Sequence, residues 1–145
     1  MRDPANEAKI APLRAAFGED LFSQLELVKA DLLDPESLMS AIEGADIVIH
    51  TASPFPLKFP KNEQELIRPA VEGTLSVLRA CTKHKVKRVV ITSSCAAIME
   101  LKPANRPKPY SVNETFWSEV DGNHISAYSK SKTLAERAAW EYQKA

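Results

Sequence analysis

The sequence predicts an α/β fold built on a parallel sheet, and three observations carry the prediction. Asp46–Ala52 and Arg88–Ser94 are apolar runs with little alternation, as strands buried on both faces are. Stretches with helically spaced apolar residues flank them, so strands and helices alternate and right-handed crossovers follow. Polar clusters close the three predicted strands: Asp31, Thr51-Ala52-Ser53 and Ser93-Ser94. Open parallel sheets bind ligands beyond those carboxyl ends. One such cluster is ordinary turn chemistry. Three in one chain favour a site.

From the N-terminus, Arg2-Asp3-Pro4 leads into a polar helix predicted over roughly 6–17 and followed by Gly18. Leu25–Ala30 alternates as a strand does and stops at Asp31. Asp34-Pro35-Glu36-Ser37 reads as a helix start, with Asp34 as N-cap and Pro35 at the first helical position. That helix turns Leu38, Ala41 and Ile42 inward and stops at Gly44. The strand over 46–52 follows, then a loop over 53–61 imposed by Pro54, Pro56 and Pro60.

A long helix is predicted over about 63–84, with Ile67, Val71, Leu75, Leu78 and Cys81 on one side. Pro69 is expected to kink it near its start, and Gly73 implies close approach of another element. After the strand over 88–94, Pro103, Pro107 and Pro109 make 101–125 mostly loop, with a turn of helix expected within 112–119. Ser126 caps the last helix, whose apolar stripe is Leu134, Ala138 and Tyr142 with Ala135 and Ala139 beside them.

The 145 residues have the length of one domain with a real core. A content of 44% hydrophobic and 26% charged residues is that of a soluble globular protein. Basic and acidic residues number 19 each, so no nucleic-acid or acidic-membrane partner is expected. No apolar run approaches a membrane span, and Met1-Arg2-Asp3-Pro4 opens no signal peptide. Cys81 and Cys95 have neither metal-ligand spacing nor a disulfide framework, so no metal and a reducing, cytoplasmic location are expected. Cys81 falls on the stripe of the long helix and is read as core.

Tyr128 and Lys132 stand four apart in the last helix, on one face and about one turn from each other. A phenol beside an ammonium is chemically useful, because the positive charge favours phenolate. Such a tyrosine can hand a proton to a carbonyl oxygen and take it back. Alone, the pair is also what any amphipathic helix could carry.

The surrounding residues make it specific. Asp31-Leu32, His50-Thr51-Ala52-Ser53-Pro54, Val90-Ile91-Thr92-Ser93-Ser94 and the run Tyr128–Glu136 resemble the extended short-chain dehydrogenase/reductases. The resemblance includes Pro69-x-x-Glu72-Gly73 and points to the branch of dihydroflavonol, cinnamoyl-CoA, aldehyde and methylglyoxal reductases. It implies a Rossmann-type, doubly wound parallel sheet and an NADP-dependent carbonyl reductase, with NAD the less favoured cofactor. It also implies a small-molecule carbonyl substrate and a homodimer through the long helices of a full-length form. By resemblance, Tyr128 is the acid/base, Lys132 holds the nicotinamide ribose and Ser94 meets the substrate carbonyl. Asp31 and Leu32 match adenine-side contacts, and Thr51, Ala52, Ser53 and Thr92 line the cofactor cleft. Arg2 matches the reader of the NADP 2′-phosphate, with Lys9 as its helper; an arginine there suits a phosphate.

The departures are as informative. The sequence has only four glycines and no Gly-rich phosphate-binding fingerprint. Residues 1–145 therefore read as a partial dinucleotide-binding domain, from the end of the second strand to the Tyr128–Lys132 helix. In the implied order 3-2-1-4-5, Leu25–Ala30 is the third strand, Ile47–Thr51 the fourth and Val89–Ser93 the fifth. The chain by itself is expected to fold at best in part, to aggregate or need a partner, and to bind no NADPH. Met99 stands where dihydroflavonol reductases carry a substrate-contacting asparagine, and His124-Ile125-Ser126-Ala127 replaces the cinnamoyl-CoA reductase signature. Cys95 is read as a packing residue. A non-catalytic remnant or regulatory module is the first alternative; a sugar-nucleotide epimerase or hydroxysteroid dehydrogenase is the second.

Overall fold

A computed structural model of the chain describes residues 1–55 and 60–145. The expected loop over 53–61 lies in part outside the described residues. Among the described residues, four α-helices and two strands follow in the order α1 (Glu7–Phe22), α2 (Pro35–Ile42), β1 (Ile47–His50), α3 (Gln64–Lys83), β2 (Arg88–Ile91) and α4 (Ala127–Lys144). β1 and β2 pair in parallel, with Val48 opposite Val89 and His50 opposite Ile91. The Thr92 N–H donates to the His50 carbonyl at 2.9 Å and carries the pairing one step further.

This register puts Val48, His50, Val89 and Ile91 on the face that α2 and α3 cover. Leu38, Ile42, Val77, Ala80 and Cys81 form the core there, with Val48 and Val89 packed against it. The opposite face is bare: Ile47 is 59% exposed, Ile49 69% and Val90 48%. Strands apolar on both faces are made to be covered twice.

The caps fall where the sequence puts them. Asp34 Oδ1 accepts from the Ser37 N–H at 3.2 Å, with Pro35 at the first helical position, and Gly44 takes a φ of 77° just past α2. Ser126 Oγ accepts from the Ser129 N–H at 3.0 Å. α3 carries Pro69 without a break. It ends in a Schellman motif: the Val86 N–H reaches the Cys81 carbonyl at 2.9 Å and the Lys85 N–H the Thr82 carbonyl at 3.2 Å. Lys85 holds the left-handed conformation, φ 55°, that this motif requires.

Several expectations are corrected. Leu25–Ala30 forms no strand of the sheet; its ladder bonds are Met1 N to the Val28 carbonyl and Ala30 N to the Met1 carbonyl. A strand needs a partner along its length, and here Met1 alone supplies one. α1 passes Gly18 and runs to Phe22, with Gly18 kinking it at a φ of 74°. The segment 112–119 contains no helix, whereas Cys95–Ala97 and Pro103–Asn105 form short 3₁₀ turns that the sequence did not announce. Cys81 is buried in the core, whereas Cys95, read as a packing residue, is exposed.

The buried residues of α4 also differ from the expected stripe. Ser129, Ser131, Thr133 and Ala135 are buried, while Leu134, Ala138 and Tyr142 are only half-buried. Ser129 with Thr133 and Ser131 with Ala135 lie on different sides of the helix, which packs on α3 and on the 3₁₀ turn over 95–97; the hydroxyls are satisfied locally. Thr133 Oγ1 donates to the Ser129 carbonyl and Ser131 Oγ to the Tyr128 carbonyl, both at 2.7 Å.

Candidate active site

Ser126 and its cap bond start α4 immediately before Tyr128, which fixes the direction in which the first turn projects its side chains. Tyr128 is half-buried, and Lys132 Nζ lies 5.9 Å from the centroid of its ring. Phe55, from the segment after β1, meets the same ring edge-on at 5.4 Å between centroids. The lysine is held without a carboxylate partner among the described residues. Burial pulls its pKa below the ordinary 10.5. A partly desolvated ammonium of this kind has hydrogen-bond donors to spend on a ligand.

Ser94 stands in extended backbone just before the 3₁₀ turn, and its Oγ accepts the Ala96 N–H at 3.2 Å. The serine thereby uses a lone pair and keeps its own proton to donate. The turn is fixed from the Pro-rich segment by Ser118, which is fully buried. Ser118 N donates to the Ala97 carbonyl and Ser118 Oγ to the Ala96 carbonyl, each at 2.8 Å. The Glu100 N–H donates to the same Oγ at 2.8 Å, and Arg137 Nη2 to the Ser118 carbonyl at 3.2 Å. The turn also packs on α4.

The remaining predicted residues divide into two groups. Thr51 and Ala52 are exposed and Ser53 half-buried beyond β1, and Thr92 is exposed beyond β2, at the carboxyl end of the sheet. Ser53 and Thr92 share a small cavity with Lys132. These positions suit a dinucleotide cleft. Asp31 lies at the turn before α2, where its Oδ1 accepts the Leu33 N–H at 2.9 Å. Leu32 packs its side chain on α3 at Gly73. Arg2 and Lys9 are exposed on the N-terminal segment and α1, without an ion-pair partner among the described residues.

Neighbours that sequence reasoning left without a role also gather here. His50 ends β1 at 7% exposure, with Thr74 Oγ1 3.5 Å from its Nε2. Glu136 accepts from Ser93 Oγ in a short contact and from Trp140 Nε1 at 3.3 Å. A histidine inside an apolar strand was the legible signal. A larger cavity, about 570 Å³, follows the outer edge of β2 between α3 and α4 and includes none of Ser94, Tyr128 and Lys132. Among the described residues no group of His, Cys, Asp and Glu could hold a metal ion, and no helix is long and apolar enough to cross a membrane.

The parallel α/β fold, with Tyr128 and Lys132 side by side on α4, is that of an extended short-chain dehydrogenase/reductase. The chain belongs to the 3-beta hydroxysteroid dehydrogenase/isomerase family, whose model matches residues 15–141. It is 43% identical to tetraketide alpha-pyrone reductase 1 of Arabidopsis thaliana over 98% of this chain and 43% of that protein. It is 41% identical to cinnamoyl-CoA reductase CAD2 of Medicago truncatula over 99% of this chain and 44% of that protein. Among solved structures, the yeast methylglyoxal/isovaleraldehyde reductase Gre2 complexed with NADPH superimposes with a TM-score of 0.77 at 31% identity. That match covers 99% of this chain and 44% of the yeast protein. The Rossmann-type fold follows from it.

Proposed function

We propose that the chain carries the catalytic set and part of the cofactor cleft of an NADP-dependent oxidoreductase that reduces an aldehyde or ketone to an alcohol. The observation that carries this reading is the Lys132 ammonium beside the Tyr128 ring on one face of α4. Reductases among the similar proteins, one of them in complex with NADPH, support it. When bound, NADPH supplies the hydride. Ser94 donates its remaining proton as a hydrogen bond to the substrate carbonyl oxygen. Tyr128 Oη gives its proton to that oxygen as negative charge develops there, and Lys132 stabilises the phenolate left behind. Lys132 also binds the ribose hydroxyls, and Arg2 with Lys9 takes the 2′-phosphate. Free cysteines at 81 and 95 suit a reducing cytosol, and a homodimer through the long helices of a full-length form is part of the same reading. The test is NADPH oxidation by the full-length native protein with a panel of aldehydes and ketones. Turnover with none of them rejects the reading.

Two observations favour a second reading for these 145 residues by themselves, that of a module without cofactor. Four glycines form no phosphate cradle, and the outer sheet face exposes Ile47, Ile49 and Val90. Calorimetric titration of the 145-residue chain with NADPH separates the two. Micromolar binding by a soluble monomer decides against the module.

A further inference from the structure

His50 is a buried polar side chain to which neither the motif nor the reaction assigns a task. It is the last residue of β1 and faces inward, toward α3 and α4. Thr74 Oγ1 of α3 lies 3.5 Å from its Nε2. With Thr74 it lines a cavity of about 20 Å³ that Lys132 shares, together with Ser53, Ser93 and Glu136. A volume of that order holds one water, provided two to four polar groups surround it. Here they do.

We propose that His50 is the positioning residue of Lys132, acting through one water held between imidazole and ammonium in this cavity. The assignment of a catalytic task to Lys132 rests on the reductase reading; the coupling between the two side chains does not. An ammonium donates only, so the water accepts from Lys132 and is free to donate to a neutral imidazole or a nearby hydroxyl. Burial first, and the Lys132 charge second, hold the His50 pKa below its ordinary 6.5. The charged groups bordering the cavity are Lys132 and Glu136, both from α4. Glu136 is engaged by Ser93 and Trp140, and the groups from α3 and from beyond β2 are uncharged hydroxyls. His50 therefore supplies a polar wall without adding a second cation. Protonating it puts two like charges around one water and displaces the ammonium from Tyr128.

The test is an NMR titration of the His50 imidazole in the full-length protein, its resonance identified by loss in His50→Gln or His50→Asn. The expected midpoint lies below 6.5 and rises in Lys132→Met; Lys132→Gln serves if that variant does not fold. The second readout is the pH dependence of kcat, where His50→Gln is expected to move the acid limb to lower pH. A merely structural role lowers kcat by one factor at every pH. A wild-type midpoint at or above 6.5 overturns the proposal without any variant, as does a midpoint indifferent to Lys132. If no carbonyl is turned over but the midpoint answers to Lys132, the reductase reading fails and the coupling stands.

Discussion

A Cβ built on Gly73 would stand 2.9 Å from the Cβ of Leu32, closer than side chains approach. The turn that follows Asp31 is thus seated directly on α3, and the glycine is what permits it. The atom in the way is the root of the leucine, not its flexible end, so the turn or the helix must shift to admit a methyl group. Gly73→Ala is expected to destabilise the fold by about 1–3 kcal/mol, as overpacking does. Chemical denaturation of the pair of proteins measures it, and equal stability would show that the contact is loose.

Ser118 is the second structural test. Its hydroxyl donates to the Ala96 carbonyl and accepts from Glu100, and it is fully buried. Ser118→Ala leaves both backbone groups without that partner, at a cost of about 1–3 kcal/mol. Because Ser94 is held by the same turn, kcat should fall as well, with cofactor binding spared. A loss of stability with unchanged kcat would uncouple Ser118 from the site.

The chemical assignments separate by variant. Tyr128→Phe removes the proton donor and should lower kcat by about 10²–10⁴-fold while NADPH binding persists. Lys132→Ala should damage both, since the ammonium serves the tyrosine and the ribose. Steady-state rates beside fluorescence titration of NADPH give the comparison, and a Tyr128→Phe protein with near-normal kcat refutes the mechanism.

Cofactor choice turns on charge. Arg2 is exposed and has no carboxylate of its own among the described residues, which leaves its guanidinium for a phosphate. In the full-length protein, Arg2→Ala should weaken NADPH far more than NADH. Equal losses for the two would remove Arg2 from the role.

Acid should weaken the fold through His50. Its folded-state pKa is depressed, so below about pH 6.5 the unfolded chain binds a proton that the native state refuses. The contribution is fully present above that pH and is lost as the pH falls. Urea unfolding from about pH 7.5 down to about pH 5 should show the decline, and His50→Gln should flatten it. A wild-type profile no steeper than that of the variant sinks the account.

By itself the sequence determined the elements whose causes are local. Asp34 with Pro35, Ser126, and the apolar runs around Val48 and Val89 each carry their signal within a few residues, as does the one-turn spacing of Tyr128 and Lys132. Gly73 was legible for the same reason, since a glycine inside a long amphipathic helix implies a close neighbour. Tertiary structure decided the rest. Leu25–Ala30 has a strand's alternation, but pairing is supplied by a partner, and Met1 alone provides one. Burial on α4 went to Ser129, Ser131 and Thr133, on two sides of the helix, because α3 and the 3₁₀ turn over 95–97 both pack against it and small side chains fit there. His50, Thr74, Ser93 and Glu136 are far apart in the chain and meet because a parallel strand, its crossover helix and α4 converge at one sheet end. No spacing along a sequence records such a meeting.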